Sequence, residues 1–233
     1  LVPDKYGLLN VNDALQTSHP HIYAVGDVIG YPALASTSME QGRRAMRHAF
    51  SLTGPSASTE NLPFAIYSIP EVSYVGETEE KLKEKGVDYV VGRGHYGMNP
   101  RGQIIGDTQG LLKLVFDAAT ARLIGVHIVG HSASELVHIG QAYLKMQATA
   151  PEIAESLYNY PTLSDMYRHA ALTAASELAR RAVSSLRAAR RFSCDPSRAV
   201  TFCPMVRAAL SAPRTVVLLP PVSPSRSWTW SLR

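Results

Sequence analysis

Cysteine is scarce in this chain, with only Cys194 and Cys203 among 233 residues. Two cysteines cannot form the disulfide framework of a small secreted protein. No run of about 18 apolar residues is present, so we expect no membrane-spanning helix and no membrane partner. The first residues also lack the basic and then apolar pattern of a secretion signal. These absences favour a soluble, cytoplasmic protein.

Lysine and histidine are absent after Leu172, where ten arginines and two acidic residues leave a net charge of +8. The first 172 residues hold 13 basic and 17 acidic side chains, so the body of the chain is mildly acidic. Residues 177–233 are rich in Arg, Pro and Ser and, apart from a possible helix over 177–191, show no period. They predict a disordered tail, or translation in a wrong reading frame.

A basic tail that binds nucleic acid or an anionic membrane is the alternative interpretation of residues 177–233. Tails with that function usually contain lysine, and this one contains none. We therefore expect no nucleic-acid partner.

The body of the chain divides at a linker. Residues 21–25 form a short apolar run that predicts a buried strand, and residues 37–52 have the periodicity of a helix. Residues 54–62 are rich in Gly, Pro, Ser and Thr, which is typical of a linker. We therefore expect a first segment over 1–53 and a second domain over 63–176.

The second domain is predicted to be α+β, with a sheet packed on helices. Helices are expected after Thr78, over 132–148, near Pro151, and from a Thr162 cap through Leu172 or beyond. Strands are expected at 65–69, 72–75, 87–96, 103–107, 111–117 and 122–130.

Two motifs in the second domain are weak evidence for chemistry. Residues 92–97 match G-x-G-x-x-G, but the sequence after them does not predict a helix of any length, which a dinucleotide site requires. Glu135 and His138 have the spacing of a metal pair on one helix, but a di-metal bundle needs several such helices. We therefore interpret the glycines as structural and expect no metal site.

The strongest signal is the run from Ile22 to Gly30, in which an apolar strand is followed by Gly26 and Asp27. A glycine lets the backbone approach a bulky cofactor, and an aspartate can accept hydrogen bonds from sugar or ribityl hydroxyls. The start of the next helix would point N–H groups at an electron-rich ring edge. From the residues alone, an ordinary strand-end turn explains this pattern equally well.

These segments resemble the pyridine nucleotide–disulfide oxidoreductases. The run from Ile22 to Gly42 is similar to their second flavin-binding segment. Residues 63–76, 123–130 and 134–142 are similar to strands and a helix of their C-terminal dimerisation domain. The resemblance covers about 1–172 and implies an antiparallel sheet with helices, preceded by the last segment of an α/β FAD-binding domain.

The resemblance also implies specific site residues. Gly26 and Asp27 would hold the ribityl chain of FAD, and backbone N–H groups around Leu34 and Ala35 would face the pyrimidine edge of the flavin. Tyr160 and Pro161 would reach the flavin of a partner subunit, so the resemblance implies a homodimer that uses NAD(P) as substrate.

One position separates the branches of this family. Disulfide reductases carry an acid/base histidine where this sequence has Tyr160, paired with a glutamate where it has Asp165. A phenol with a pKa near ~10 is a poor base at neutral pH. The loop 158–162 instead resembles the soluble, Si-specific pyridine nucleotide transhydrogenases, which pass hydride between NADPH and NAD through FAD without redox cysteines.

The part of the family that precedes the second flavin segment has no counterpart in the sequence. It would hold the FAD diphosphate, any redox cysteines and the NAD(P) domain. We therefore expect a C-terminal fragment of a transhydrogenase. A fragment of another family member, such as a dihydrolipoyl dehydrogenase-like reductase, and a non-catalytic dimerisation module are the alternatives.

Overall fold

The computed structural model describes residues 1–55 and 60–192, with side chains up to residue 185. The chain divides into two compact units, Leu1–Ala182 and Val183–Arg233. Of the second unit, only the end of one helix, up to Phe192, is described. None of the helices in the described part of the chain is both long and apolar enough to cross a bilayer.

The first segment contains one long helix, α1 (Ala35–Ala49), preceded by a 3₁₀ helix at Gly26–Ile29. The predicted helix is confirmed, although it begins two residues earlier and ends three residues earlier than expected. The predicted strand over 21–25 is wrong. Tyr23 forms only an isolated bridge to Gln16, and the chain then turns directly into the 3₁₀ helix.

Five antiparallel strands form one sheet in the order β1-β2-β5-β4-β3. The β4–β5 hairpin turns at Asp117, whose carboxylate accepts the N–H groups of Ala119 and Thr120. The sheet confirms the expected antiparallel α+β fold. The strands are β1 (Phe64–Ile66), β2 (Val72–Gly76), β3 (Tyr89–His95), β4 (Leu111–Asp117) and β5 (Leu123–Val129).

Five more helices surround the sheet, and local capping explains where two of them begin. Thr78 Oγ1 accepts the N–H of Lys81, as its place before two glutamates predicted. Thr149 and Glu152 form a reciprocal capping box. The helices are α2 (Glu79–Glu84), α3 (Pro100–Ile105), α4 (Ala133–Lys145), α5 (Ala150–Glu155) and α6 (Met166–Phe192).

The predicted strand over 103–107 is wrong, because these residues form the last turn of α3 and the residues after it. Asn99 Oδ1 accepts the N–H groups of Arg101 and Gly102, and Pro100 occupies the first turn. The expectation that no helix follows residues 92–97 is also wrong, because an asparagine cap followed by proline is a strong helix start. Here it overrides the strand propensity of two isoleucines. Thr162 also differs from its prediction, since its side chain makes no cap and a 3₁₀ helix, Leu163–Asp165, precedes α6.

The core lies between one face of the sheet and the helices α4 and α6. Leu112, Leu114 and Phe116 alternate along β4 and are fully buried. A Cβ atom at Gly92 would lie 1.9 Å from the carbonyl oxygen of Ala170, so α6 packs directly on β3. Gly92 and Gly94 of the G-x-G-x-x-G match therefore serve helix–sheet packing, whereas Gly97 lies close to the carbonyl oxygen of Thr108.

Residues 177–192, which we assigned to the tail, continue α6. The rest of the tail prediction lies outside the described residues. The linker prediction over 54–62 includes residues 56–59, which also lie outside them. The domain boundaries therefore stay predictions.

Candidate cofactor-binding site

The 3₁₀ helix and α1 are joined at Gly26. Its N–H donates a hydrogen bond of 2.7 Å to Oε1 of Gln41, which lies in the middle of α1. Gly26 has a φ of +77°, and a Cβ atom there would lie 3.1 Å from Ser38 Oγ. Glycine is therefore required both by the backbone conformation and by the close approach of α1. This junction fixes the next residue, Asp27, beside the helix.

The side chain of Asp27 is free to bind a ligand. Asp27 is exposed, and its carboxylate makes no hydrogen bond within residues 1–55 and 60–192. Its backbone carbonyl accepts the N–H of Gly30, which closes the turn. An ionised carboxylate is an acceptor for up to four hydrogen bonds, so Asp27 is suited to binding neighbouring hydroxyl groups.

The amino end of α1 is open. Leu34 is the N-cap residue and offers no side-chain acceptor. Its carbonyl accepts the N–H of Ser38 at 2.9 Å and the hydroxyl of Thr37 at 2.8 Å. The N–H groups of residues 35–37 are left without an acceptor inside the helix, at the positive end of its dipole.

These two features fit the flavin half of FAD. The Asp27 carboxylate matches the ribityl hydroxyls, and the open N–H groups beginning at Ala35 match the carbonyl acceptors of the pyrimidine edge. For the diphosphate half, the only glycine-rich candidate in the described part of the chain is 92–97, which packs under α6 instead. The first segment is thus a candidate site for the flavin half of FAD.

Tyr160 and Pro161 lie on a separate loop, between α5 and the 3₁₀ helix Leu163–Asp165. Tyr160 is 72% exposed, and within the described ranges its hydroxyl has no hydrogen-bond partner. Thr162 Oγ1 donates to the carbonyl of Asn159 at 2.7 Å and closes the loop. The structure therefore brings Gly26, Asp27, Leu34 and Ala35 together and places the other two predicted residues elsewhere.

Asp165 is buried, but its partner is not on this loop. It is the last residue of the 3₁₀ helix Leu163–Asp165, and its Oδ2 lies 3.1 Å from Nε2 of His169 in α6. Asp165 is therefore paired with His169 and not with the residue at position 160.

Several residues that support the loop were missed from the sequence. The hydroxyls of Tyr158 and Tyr143 form a hydrogen bond of 2.7 Å, and Asn99 Nδ2 donates to the carbonyl of Thr162 at 3.0 Å. Burial raises the pKa of Tyr158 well above its ordinary value, so the phenol stays neutral. The Asn-Pro helix start was a readable signal for Asn99, whereas nothing local indicates a contact 63 residues away.

No metal site is formed by the residues that the structure describes, since no three His, Cys, Asp or Glu side chains cluster closely enough. His138 Nδ1 lies 3.1 Å from Oε1 of Gln141. The Glu135 and His138 spacing is thus explained by an exposed helix surface.

Comparison with known families gives two matches. The family described as "Pyridine nucleotide-disulphide oxidoreductase, dimerisation domain" matches residues 62–171. The family described as "Pyridine nucleotide-disulphide oxidoreductase" matches residues 2–42, which include the Gly26 junction and the first half of α1.

Curated relatives match about three quarters of the chain. The soluble pyridine nucleotide transhydrogenase of Mycobacterium bovis (strain BCG / Pasteur) is 51% identical over 166 residues, which cover 71% of this chain and 35% of that protein. The one from Enterobacter sp. (strain 638) is 42% identical over 181 residues, covering 76% and 39%. The chain thus spans a little more than a third of the length of the curated relatives it matches.

Solved structures agree on the fold. LpdA from Mycobacterium tuberculosis is 28% identical with a TM-score of 0.62, over 71% of this chain and 36% of that one. The HOCl-induced flavoprotein disulfide reductase RclA from Escherichia coli shares the fold with a TM-score of 0.68 at 24% identity, over 73% and 40%. Both matched regions, together with the relatives at 51% identity, show that the chain belongs to the pyridine nucleotide-disulphide oxidoreductase family.

Proposed function

We propose that the chain is the C-terminal part of an FAD-dependent transhydrogenase that transfers hydride between NADPH and NAD. The observation that carries this proposal is Tyr160, which stands exposed on the loop 158–162 where disulfide reductases carry their acid/base histidine. A phenol is a poor base at neutral pH, so this loop does not supply the base that thiol–disulfide chemistry requires. The curated relatives are named as soluble pyridine nucleotide transhydrogenases. The word "soluble" in these names supports a cytoplasmic location for the chain.

The residues of the first segment hold and orient the cofactor in this proposal. Bound FAD would supply the hydride acceptor and donor of the reaction. Asp27 accepts hydrogen bonds from the ribityl hydroxyls, and Gly26 lets the backbone approach without a side chain. The N–H groups at Leu34 and Ala35 donate to the pyrimidine edge, where the helix dipole favours electron density.

The second domain completes the site through dimerisation. The match to the family's dimerisation domain supports a homodimer. We propose that Tyr160 and Pro161 extend from one subunit to the flavin of its partner and exclude water there. The nicotinamide nucleotides would bind to parts of the relatives that lie outside the matched residues.

The dihydrolipoyl dehydrogenase-like alternative needs an acid/base histidine near position 160. The non-catalytic alternative predicts a dimer that never carries flavin. Chimeras with known family members distinguish both alternatives from the proposed function.

A chimera tests the proposal directly. Residues 1–182 of this chain replace the matching third of the Enterobacter transhydrogenase. The chimera is purified and assayed for hydride transfer from NADPH to a thio-NAD acceptor. We expect a yellow dimer with activity. A colourless dimer would support the non-catalytic alternative.

Tyr160→His in the same chimera is the matched control. It restores the histidine of disulfide reductases without changing the rest of the loop. We expect it to add no disulfide reductase activity and to leave the flavin bound. A chimera of the same residues with the disulfide reductase RclA tests the reductase alternative, which would be favoured if that chimera reduced a disulfide with Tyr160 unchanged.

A further inference from the structure

The position of Tyr160 is set by its neighbours. Its side chain is 72% exposed and has no hydrogen bond in the part of the chain that the structure describes. An exposed aromatic side chain is useful for binding when its backbone is already fixed, because little conformational freedom is then lost on contact. The loop therefore needs anchors outside Tyr160 itself.

The first anchor holds the start of the loop on α4. The Tyr158 hydroxyl lies 2.7 Å from the hydroxyl of Tyr143, and it also lies 3.4 Å from the carbonyl of Ile153. The ring of Tyr143 packs at 6.1 Å from the ring of Tyr167, whose hydroxyl donates to the carbonyl of Leu136. This anchor is thus continuous with the buried core.

The second anchor holds the end of the loop on α3. Asn99 is only 1% exposed and uses both ends of its amide. Its Oδ1 caps α3, and its Nδ2 donates to the carbonyl of Thr162 at 3.0 Å. The hydroxyl of Thr162 in turn donates to the carbonyl of Asn159, on the other side of Tyr160.

We propose that Asn99 and the Tyr143–Tyr158 pair are positioning residues that hold the loop 158–162 ready for the partner's cofactor. The proposal rests on the proposed function for the identity of that cofactor, but the anchoring itself is a property of this chain. Neither anchor touches the ligand. Each acts by restricting the backbone on one side of Tyr160.

Spin labelling of the full chain tests the anchors without flavin. Cys194 and Cys203 are replaced by serine, and a nitroxide is attached after Tyr160→Cys. A control label is attached after Lys83→Cys on the exposed side of α2.

Asn99→Ser is then introduced into each labelled chain, because serine keeps the α3 cap while its side chain is too short to reach Thr162. Tyr143→Phe removes only the hydroxyl partner of the first anchor.

We expect Asn99→Ser to raise the fast-motion component at position 160 several-fold and to leave the control label unchanged. Tyr143→Phe should do the same, which keeps the proposal testable if Asn99→Ser fails to fold. Unchanged motion at 160, or equal loosening of both labels, would overturn the proposal. The second result would show that these residues serve overall stability only.

The chimera separates this proposal from the proposed function. An anchored loop in a chimera that binds no flavin would contradict the proposed function and leave the anchors standing. In an active chimera, Asn99→Ser should weaken flavin retention several-fold while the dimer persists. Unchanged flavin retention in a chimera with a loosened loop would overturn the positioning role.

Discussion

The two regions of the described chain differ in how they bury apolar side chains. In residues 1–55, the buried apolar side chains are Leu15, Ala24 and Ala45, and none of them is fully buried, whereas the sheet domain has one continuous core. Met39, Met46 and Phe50 on or just after α1 remain 49–70% exposed. The sheet domain therefore carries its own stability, while the first segment has the character of part of a larger domain.

The largest contrast is expected from one glycine substitution made in each region. Gly92→Ala would force α6 away from β3, because the new Cβ would lie 1.9 Å from the carbonyl oxygen of Ala170. We expect the free energy of unfolding to fall by about 3 kcal/mol. Urea unfolding followed by circular dichroism measures this change.

Gly42→Ala on α1 is the matched control. A Cβ atom at Gly42 meets nothing within 4 Å, and alanine favours helix. We expect no loss in the main urea transition. If the two substitutions gave equal losses, the proposed difference in packing between the regions would be wrong.

Hydrogen exchange should show the same contrast in the unmodified chain. The amides of β4 and β5 are central in the sheet and should exchange only when the whole domain unfolds. The amides of α1 should exchange on the order of 100-fold faster, because its apolar side is exposed and it can open locally. Equal protection of α1 and β4 would show that the two regions unfold as one.

Tyrosine hydroxyls sharpen the comparison at a smaller scale. The buried Tyr167 hydroxyl donates to the carbonyl of Leu136 at 2.7 Å and accepts the N–H of Gly140 at 3.0 Å. Tyr167→Phe leaves both backbone groups without this partner, so we expect a loss of about 2 kcal/mol in urea unfolding. Tyr23→Phe removes only an exposed contact to His48 and should change stability by less than about 0.5 kcal/mol. Similar losses would contradict the account.

The smallest expected effect is a pH dependence confined to the sheet domain. Burial lowers the pKa of His127 below its ordinary value of 6.5, so the unfolded chain binds this proton more readily than the folded chain. The stability contribution is complete above pH 6.5 and is lost as the pH falls through the lower folded pKa. We expect the decline in stability from about pH 7 to 5 to be shallower after His127→Gln, which does not titrate. An unchanged slope in urea unfolding would exclude His127 as its source.

Local signals predicted most of the sheet domain correctly. The hydrophobic runs predicted β4 and β5, Thr78 with its two glutamates predicted the start of α2, and Pro151 predicted α5. One exception was α3, where two adjacent isoleucines favoured a strand although Asn99-Pro100 began a helix. A single capping side chain can decide where a helix begins, whereas the strand propensity of isoleucine is a weak preference that counts only when several positions share it.

The candidate site was predicted only in part. Gly26 and Asp27 stand next to each other in the sequence, so the shared role that we propose for them could be predicted from local pattern and family resemblance. The Asp165–His169 pair and the contact of Asn99 with Thr162 depend on how the elements pack. Such long-range hydrogen bonds leave no periodic signature, so only the structure reveals them.

Complementation between two defective chimeras tests the shared site most directly. One chimera carries Asp27→Ala, and the other carries Tyr160→Gly together with Pro161→Gly. Each alone should be inactive. When they are co-expressed, a mixed dimer would have one site built from an intact Asp27 and an intact loop, so we predict recovered transhydrogenase activity. If co-expression restored none although mixed dimers formed, the two sets of residues would not share a site across the dimer.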